Sequence, residues 1–178
     1  MKEISEVVVS HLDMSNPEAE LDSVTHESFW SLLGALAWLL MTRADIAPFV
    51  GYLQRAAQKP QNNHVKLINK VLRYCKRVSY GIVFRYLQPP VKLVVVADAA
   101  YQSNVTNSEC TALRGYIILL VGSQKTASHF PGGACQLLDF ASKKFNTVTR
   151  SSFAAELRNQ LEAAHAGVYY NSFIDEHC

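Results

Sequence analysis

The apolar positions change period once along the chain, near residue 79. Before it the spacing is helical. The stretch FWSLLGALAWLLM, residues 29–41, is apolar nearly all round, which predicts a helix near 28–40 buried on most sides. Thr42 offers an N-cap to a second helix near 44–58, RADIAPFVGYLQRAA, with Pro48 a little inside it marking a kink or a shifted start. The breaker KPQNN separates it from a third helix near 63–77. There Val65, Ile68, Leu72 and Cys75 form one face, while Lys66, Lys70, Arg73 and Arg77 stack on the other at helical spacing.

After Ser79-Tyr80-Gly81 the pattern becomes extended. IVFRYL reads as a strand, QPP as a turn, and VKLVVVADAA as a central strand near 92–98, its valines favouring burial on both sides. The polar segment YQSNVTNSECT reads as a loop. RGYIILLVG gives a strand near 113–121, Pro131-Gly132-Gly133 a turn, and CQLLDFAS a strand near 135–141. A final helix, 152–173, has Phe153, Leu157, Leu161, Ala164 and Val168 on one face, which predicts that this face packs on the sheet; Ser151 or Ser152 caps it. The fold class is therefore α+β, an antiparallel sheet with a helix across it behind a helical N-terminal segment. The first two strands should be neighbours, and 92–98 should not lie at an exposed edge. Residues 1–27 carry little signal: MKEISEVVVSHL reads equally as a strand or a short helix. Segments 1–27, 28–78 and 79–178 are the expected divisions.

Composition narrows the class without naming it. At 49% hydrophobic and 18% charged, the chain is globular rather than disordered, and a net charge of +2 says nothing about partners. The longest apolar run is short of the roughly 20 residues that span a bilayer, so no membrane segment is expected. Cys75, Cys110, Cys135 and Cys178 form no C-x-x-C pair, which gives zinc no support. With no signal peptide visible, they are expected to be free thiols in a reducing, intracellular setting, cytoplasmic or nuclear, where the Asn104-Val105-Thr106 sequon stays unglycosylated.

Two features carry candidate chemistry. Asp98 follows directly on an apolar run, where an ionised carboxylate is costly unless solvated, paired or metal-bound. Either it pairs or caps at a strand end, or a second carboxylate joins it. Glu156, in the first turns of the last helix, borders the apolar face and can approach that strand; a divalent cation would relieve the repulsion, and Mg²⁺ is held by one or two carboxylates with phosphates. The basic stripe Lys66, Lys70, Arg73, Arg77 is either a solvated face or a surface that follows a phosphate backbone. Asp139 is a weaker ligand candidate, and Asp175 lies about 28 Å from Glu156 along an unbroken helix. His64 falls toward the apolar face of its helix and reads as a packed histidine; His165 is two to three turns from Glu156. His177 and Cys178 form a terminal pair.

The chain resembles copia-type retrotransposon polyproteins at the end of the reverse transcriptase and the start of the RNase H domain. SFWSLLGALAWLLMTRADIAPFVGYLQRAAQKP with HVKLINKVLRYCKR is similar to one stretch of the family, and KLVVVADAAYQS, LRGYIILLVG and DFASKKFNTVTRSSFAAEL to another, together covering roughly residues 28–170. Ala44 stands for the proline of TRPDI, Ala97, Ala100 and Tyr101 depart from SDADW, Phe140 stands for a tryptophan, and Phe153-Ala154-Ala155-Glu156 keeps only the last glutamate of TEAE. The resemblance implies the first half of an RNase H-like fold, with Asp98 and Glu156 as catalytic metal ligands, Mg²⁺ as cofactor, and an RNA–DNA hybrid or other nucleic acid as partner, alongside the remainder of a polyprotein. It also implies two further carboxylates that do not appear before Cys178, so cleavage by this chain alone is not expected. The alternative is a non-catalytic nucleic-acid-binding or scaffolding domain using the basic helix 64–78.

Overall fold

The computed structural model describes residues 4–9, 12, 15–79, 81–103, 110–123, 134–145 and 151–177. The chain forms two compact units, Met1–Ile82 and Val83–Cys178.

The first unit is helical: α1 (Ser23–Leu39), a 3-10 turn (Ala44–Ile46), α2 (Ala47–Arg55) and α3 (Asn62–Arg77). α1 starts earlier than its apolar run suggests, because Asp22 caps it, accepting from the Val24 and Thr25 amides at 3.0 Å. Thr42 is not a cap; its hydroxyl turns back to the Leu39 carbonyl. Pro48 sits in the first turn of α2, where its missing N–H has no intrahelical partner to lose. Phe29, Leu36, Ile46, Val50, Leu53, Val65 and Ile68 are fully buried together. Each such side chain contributes on the order of 1.5–3 kcal/mol relative to exposure. Among the described residues of the N-terminal segment, 4–9 and 12 form neither strand nor helix. This stretch lies extended on α3, where the buried Asn69 amide accepts from the Val7 N–H (2.9 Å) and donates to the Val7 carbonyl (2.8 Å).

The second unit is an antiparallel sheet, β1 (Lys92–Ser103), β2 (Cys110–Val121) and β3 (Cys135–Lys144), in the order β1-β2-β3, with α4 (Ser152–His177) packed on β1 and β2. The α+β class and the pairing of the first two strands match expectation. Four readings are corrected. IVFRYL forms no strand: Val83, Phe84 and Tyr86 are exposed, and nothing among the described residues pairs with them. The expected polar loop is shortened, because Tyr101–Ser103 extend β1 and Cys110 and Thr111 begin β2; the sequon at 104–106 and the Pro131-Gly132-Gly133 turn lie outside the described residues. β1 is an edge strand, with β2 in the middle. An antiparallel β1-β2-β3 ladder necessarily leaves its first strand with one free side unless another strand follows. Finally, α4 is rotated from the predicted orientation. Ala155, Asn159, Ala163 and Gly167 are the buried stripe, while Phe153, Leu157, Leu161 and Val168 are exposed.

Small side chains explain that rotation. At Gly167 an added Cβ would lie 2.8 Å from Val95 Cγ2, so the helix approaches β1 too closely for a large residue. Ser151 does cap α4, its hydroxyl accepting from the Ala154 amide at 3.1 Å.

Candidate functional site

α3 brings the basic stripe together as its periodicity requires. Lys66, Lys70, Arg73 and Arg77 are all exposed, opposite the buried Val65, Ile68 and Leu72. Arg73 is paired with Glu6 at 2.7 Å, across an exposed contact; among the described residues no ion pair holds Lys66, Lys70 or Arg77. The helix is anchored at its start by His64, whose Nδ1 accepts the Gln61 amide at 2.9 Å and whose Nε2 faces the Tyr52 hydroxyl at 3.5 Å. Burial holds the His64 imidazole below its ordinary pKa, and its packing and hydrogen bonds make it a structural histidine, as its position on the apolar face indicated.

Beside the stripe, residues of the 3-10 turn, α2 and α3 line a half-open cavity of about 660 Å³, with Ile46, Leu67, Val71, Phe49 and Tyr74 on its wall and Lys70, Arg73 and Arg77 at its border. Asp45 also lines it, but this carboxylate is gripped by Arg43 through two hydrogen bonds of 2.9 Å, Nε to Oδ1 and Nη2 to Oδ2. Arg43 is buried, donates its remaining Nη1 to the Val78 carbonyl, and lies over the Tyr74 ring. The Arg43 hydrogen bonds hold the Asp45 carboxyl below its usual range and the guanidinium above its own.

The carboxylate pair is arranged otherwise than its sequence positions suggest. Asp98 is not at a strand end. It lies within β1, opposite Gly115, and is exposed. Side chains alternate along a strand. Ala99 and Tyr101 pack with Ala155 and Val95 meets Gly167, so the odd positions of β1 face α4 and Asp98 projects from the other face of the sheet. Glu156 is half-buried on α4, beside the packed stripe. What joins the two segments is Asn159, fully buried, whose amide donates to the carbonyls of Asp98 (2.7 Å) and Gly115 (2.9 Å). Helix and strand are thus tied through main chain.

A Mg²⁺ ion demands near-octahedral oxygen ligation. Among the described residues no group of three or more His, Cys, Asp or Glu could hold a metal ion. The other candidates have different employment. Asp139 accepts from the Tyr116 hydroxyl at 3.2 Å and from the Phe140 amide at 2.8 Å, and with burial it raises the pKa of Tyr116 and Tyr170. Asp175 accepts from Asn171. His165 is exposed on α4. Cys75 and Cys135 are free, while the side chains of Cys110, His177 and Cys178 lie outside the described residues.

Asn159, the Arg43–Asp45 pair and the cavity escaped sequence reading. For Asn159 a signal existed in the small residues recurring every fourth position, Ala155, Ala163 and Gly167, which mark close helix packing.

No family model and no solved structure matches the chain. Among curated proteins it is 31% identical to secreted RxLR effector protein 161 of Plasmopara viticola, over 79% of this chain and 89% of that protein. It is 27% identical to the retrovirus-related Pol polyprotein from transposon RE1 of Arabidopsis thaliana, over 72% of this chain but only 8% of the polyprotein. An uncharacterized mitochondrial protein of Arabidopsis thaliana is 25% identical over 73% of this chain, which spans 48% of it. No helix among the described residues is long and apolar enough to cross a membrane. An α+β chain that aligns across most of its length with a nearly equal-sized effector and with one short region of Pol polyproteins is retrotransposon-derived, and it belongs to the family represented by RxLR effector protein 161.

Proposed function

We propose that the chain is a nucleic-acid-binding module descended from the reverse transcriptase and RNase H region of a copia-type polyprotein, working inside the cell and gripping phosphates through α3. The observation that supports this reading is the exposed register of Lys66, Lys70, Arg73 and Arg77 on one helix face. Lys66, Lys70 and Arg77, joined by Arg73 once it leaves Glu6, can each displace a counterion from a nucleic-acid backbone. Asp98 and Glu156 keep positions that the resemblance assigns to metal ligands, but they are given no catalytic step, because two carboxylates alone hold Mg²⁺ weakly.

The test is a salt titration of binding to an RNA–DNA hybrid. Affinity is expected to fall steeply with salt, and Lys66→Ala with Lys70→Ala is expected to flatten the log–log slope by roughly two units. Binding indifferent to salt, or a slope unchanged in the double variant, leaves α3 as a solvated face. In parallel, the hybrid is expected to stay intact with Mg²⁺ or Mn²⁺. Cleavage abolished by Asp98→Asn would instead restore the metal site.

A further inference from the structure

We infer that the cavity between α2 and α3 receives an unpaired nucleotide, its base against Phe49 and Tyr74 and its phosphates on Lys70, Arg73 and Arg77. The inference deepens the α3 reading and rests on it. The cavity, about 660 Å³, is of a size with small-molecule sites, about 300–1,000 Å³. Its wall is apolar, from Ile46, Leu67 and Val71, and two aromatic rings reach solvent beside it, Phe49 at 48% and Tyr74 at 37% exposure. Its border carries three of the four stripe cations, and Arg43 already occupies the one carboxylate on its wall.

That combination selects by chemistry. A bare phosphate has no use for the apolar wall, and a neutral apolar ligand has none for the cations. A nucleotide offers a flat ring for the aromatic faces and an anionic group for the border. Stacking on aromatic side chains with backbone contacts from cations is how single strands are held without regard to sequence. A base in a duplex is already stacked and paired, so the cavity should distinguish single strands from duplexes, whereas the stripe alone should not. An acidic peptide would satisfy the cations but leave the rings without a flat partner.

The experiment follows binding of a labelled single-stranded RNA and a hairpin duplex of equal charge to the full chain, by fluorescence anisotropy across a salt series. Phe49→Ala and Phe49→Leu, at a half-exposed position where folding tolerates change, are compared with the native chain, with thermal unfolding as a folding control. Both variants are expected to weaken single-strand binding about tenfold, to leave hairpin binding unchanged and to keep the salt slope. Single-strand affinity untouched by Phe49→Ala, equal losses on both probes, or displacement by polyglutamate at lower concentration than by single-stranded RNA would each overturn the cavity assignment while leaving the α3 reading in place. Salt-independent or absent binding of both probes to the native chain would overturn the two together.

Discussion

The two units of this protein solve the burial problem differently. The helical unit closes on itself: α1, α2 and α3 share a core that includes Phe29, Leu36, Ile46, Leu53, Val65 and Ile68, none of them exposed, and the extended N-terminal segment is clipped over it by Asn69. The sheet unit has a smaller core, in which Ala112, Phe145 and Ala155 are buried with Ala99 and Tyr101 against them, and Ile118, Val121 and Ala163 are buried too. Several of its larger apolar residues are nonetheless exposed. Phe153, Leu157, Leu161, Val168 and Phe173 are more than half exposed on α4, and Ile117 on the open face of the sheet is 45% exposed. One unit therefore holds its stability in side-chain packing. The other holds it in the β ladder, in the close approach of small residues and in polar bonds such as those of Asn159.

The contrast breaks most visibly at Arg43. Arg43→Ala leaves Asp45 without its cationic partner and removes the bond to the Val78 carbonyl, so the helical unit is expected to lose about 3–5 kcal/mol. Chemical denaturation followed by hydrogen exchange should place the loss in residues of α1–α3. If protection in α4 falls as much as that in α3, the two units do not hold their stability separately.

A paired truncation sharpens it. Leu36→Ala, in a fully buried site, is expected to cost about 2–5 kcal/mol. Leu157→Ala, 56% exposed, should stay within about 0.5 kcal/mol. Equal effects would mean that α4's outer face is covered in solution. In the sheet unit the sensitive residue should be Asn159 instead. Asn159→Ala removes two part-buried hydrogen bonds to main chain and should cost about 2 kcal/mol, read as faster exchange at β1 and β2 amides.

The smallest effect is one of pH. Burial lowers the folded pKa of His64, so the unfolded chain takes up the proton first as pH falls. Stability is then full above the unfolded value near 6.5 and declines as pH drops below it toward the lower folded value. The Asp45 carboxyl, also lowered, extends the decline as pH falls below about 3.8, where the unfolded chain again binds the proton first. His64→Gln should remove the upper part of this slope in pH-dependent denaturation. A slope that persists in the variant would assign it to another group.

Much of this architecture was legible in the residues themselves. A period of 3.6 changing to extended runs gave the α+β class, the third helix within a residue of its observed start, and the core of all three strands. The basic stripe was legible for the same reason: helical spacing sets which side chains share a face, whatever surrounds them. Local pattern also identified His64 as a packed side chain. It did not say that IVFRYL would find no partner strand among the described residues, since a strand exists only where another strand offers hydrogen bonds.

Tertiary structure decided the rest. The larger apolar face of α4 looked like the packing face, yet Ala155, Asn159, Ala163 and Gly167 pack instead, because a helix can approach β1 closely only through small side chains. Asp98 looked like a strand end, but β1 runs on to Ser103, and the side-chain alternation of that longer strand places Asp98 on the face away from Ala99 and Tyr101, which pack with Ala155. The sequence by itself determined which residues lie on which side of each element. Which side faces its neighbour, and how far a strand runs, were settled only by the competition among whole surfaces for close packing and for hydrogen-bond partners.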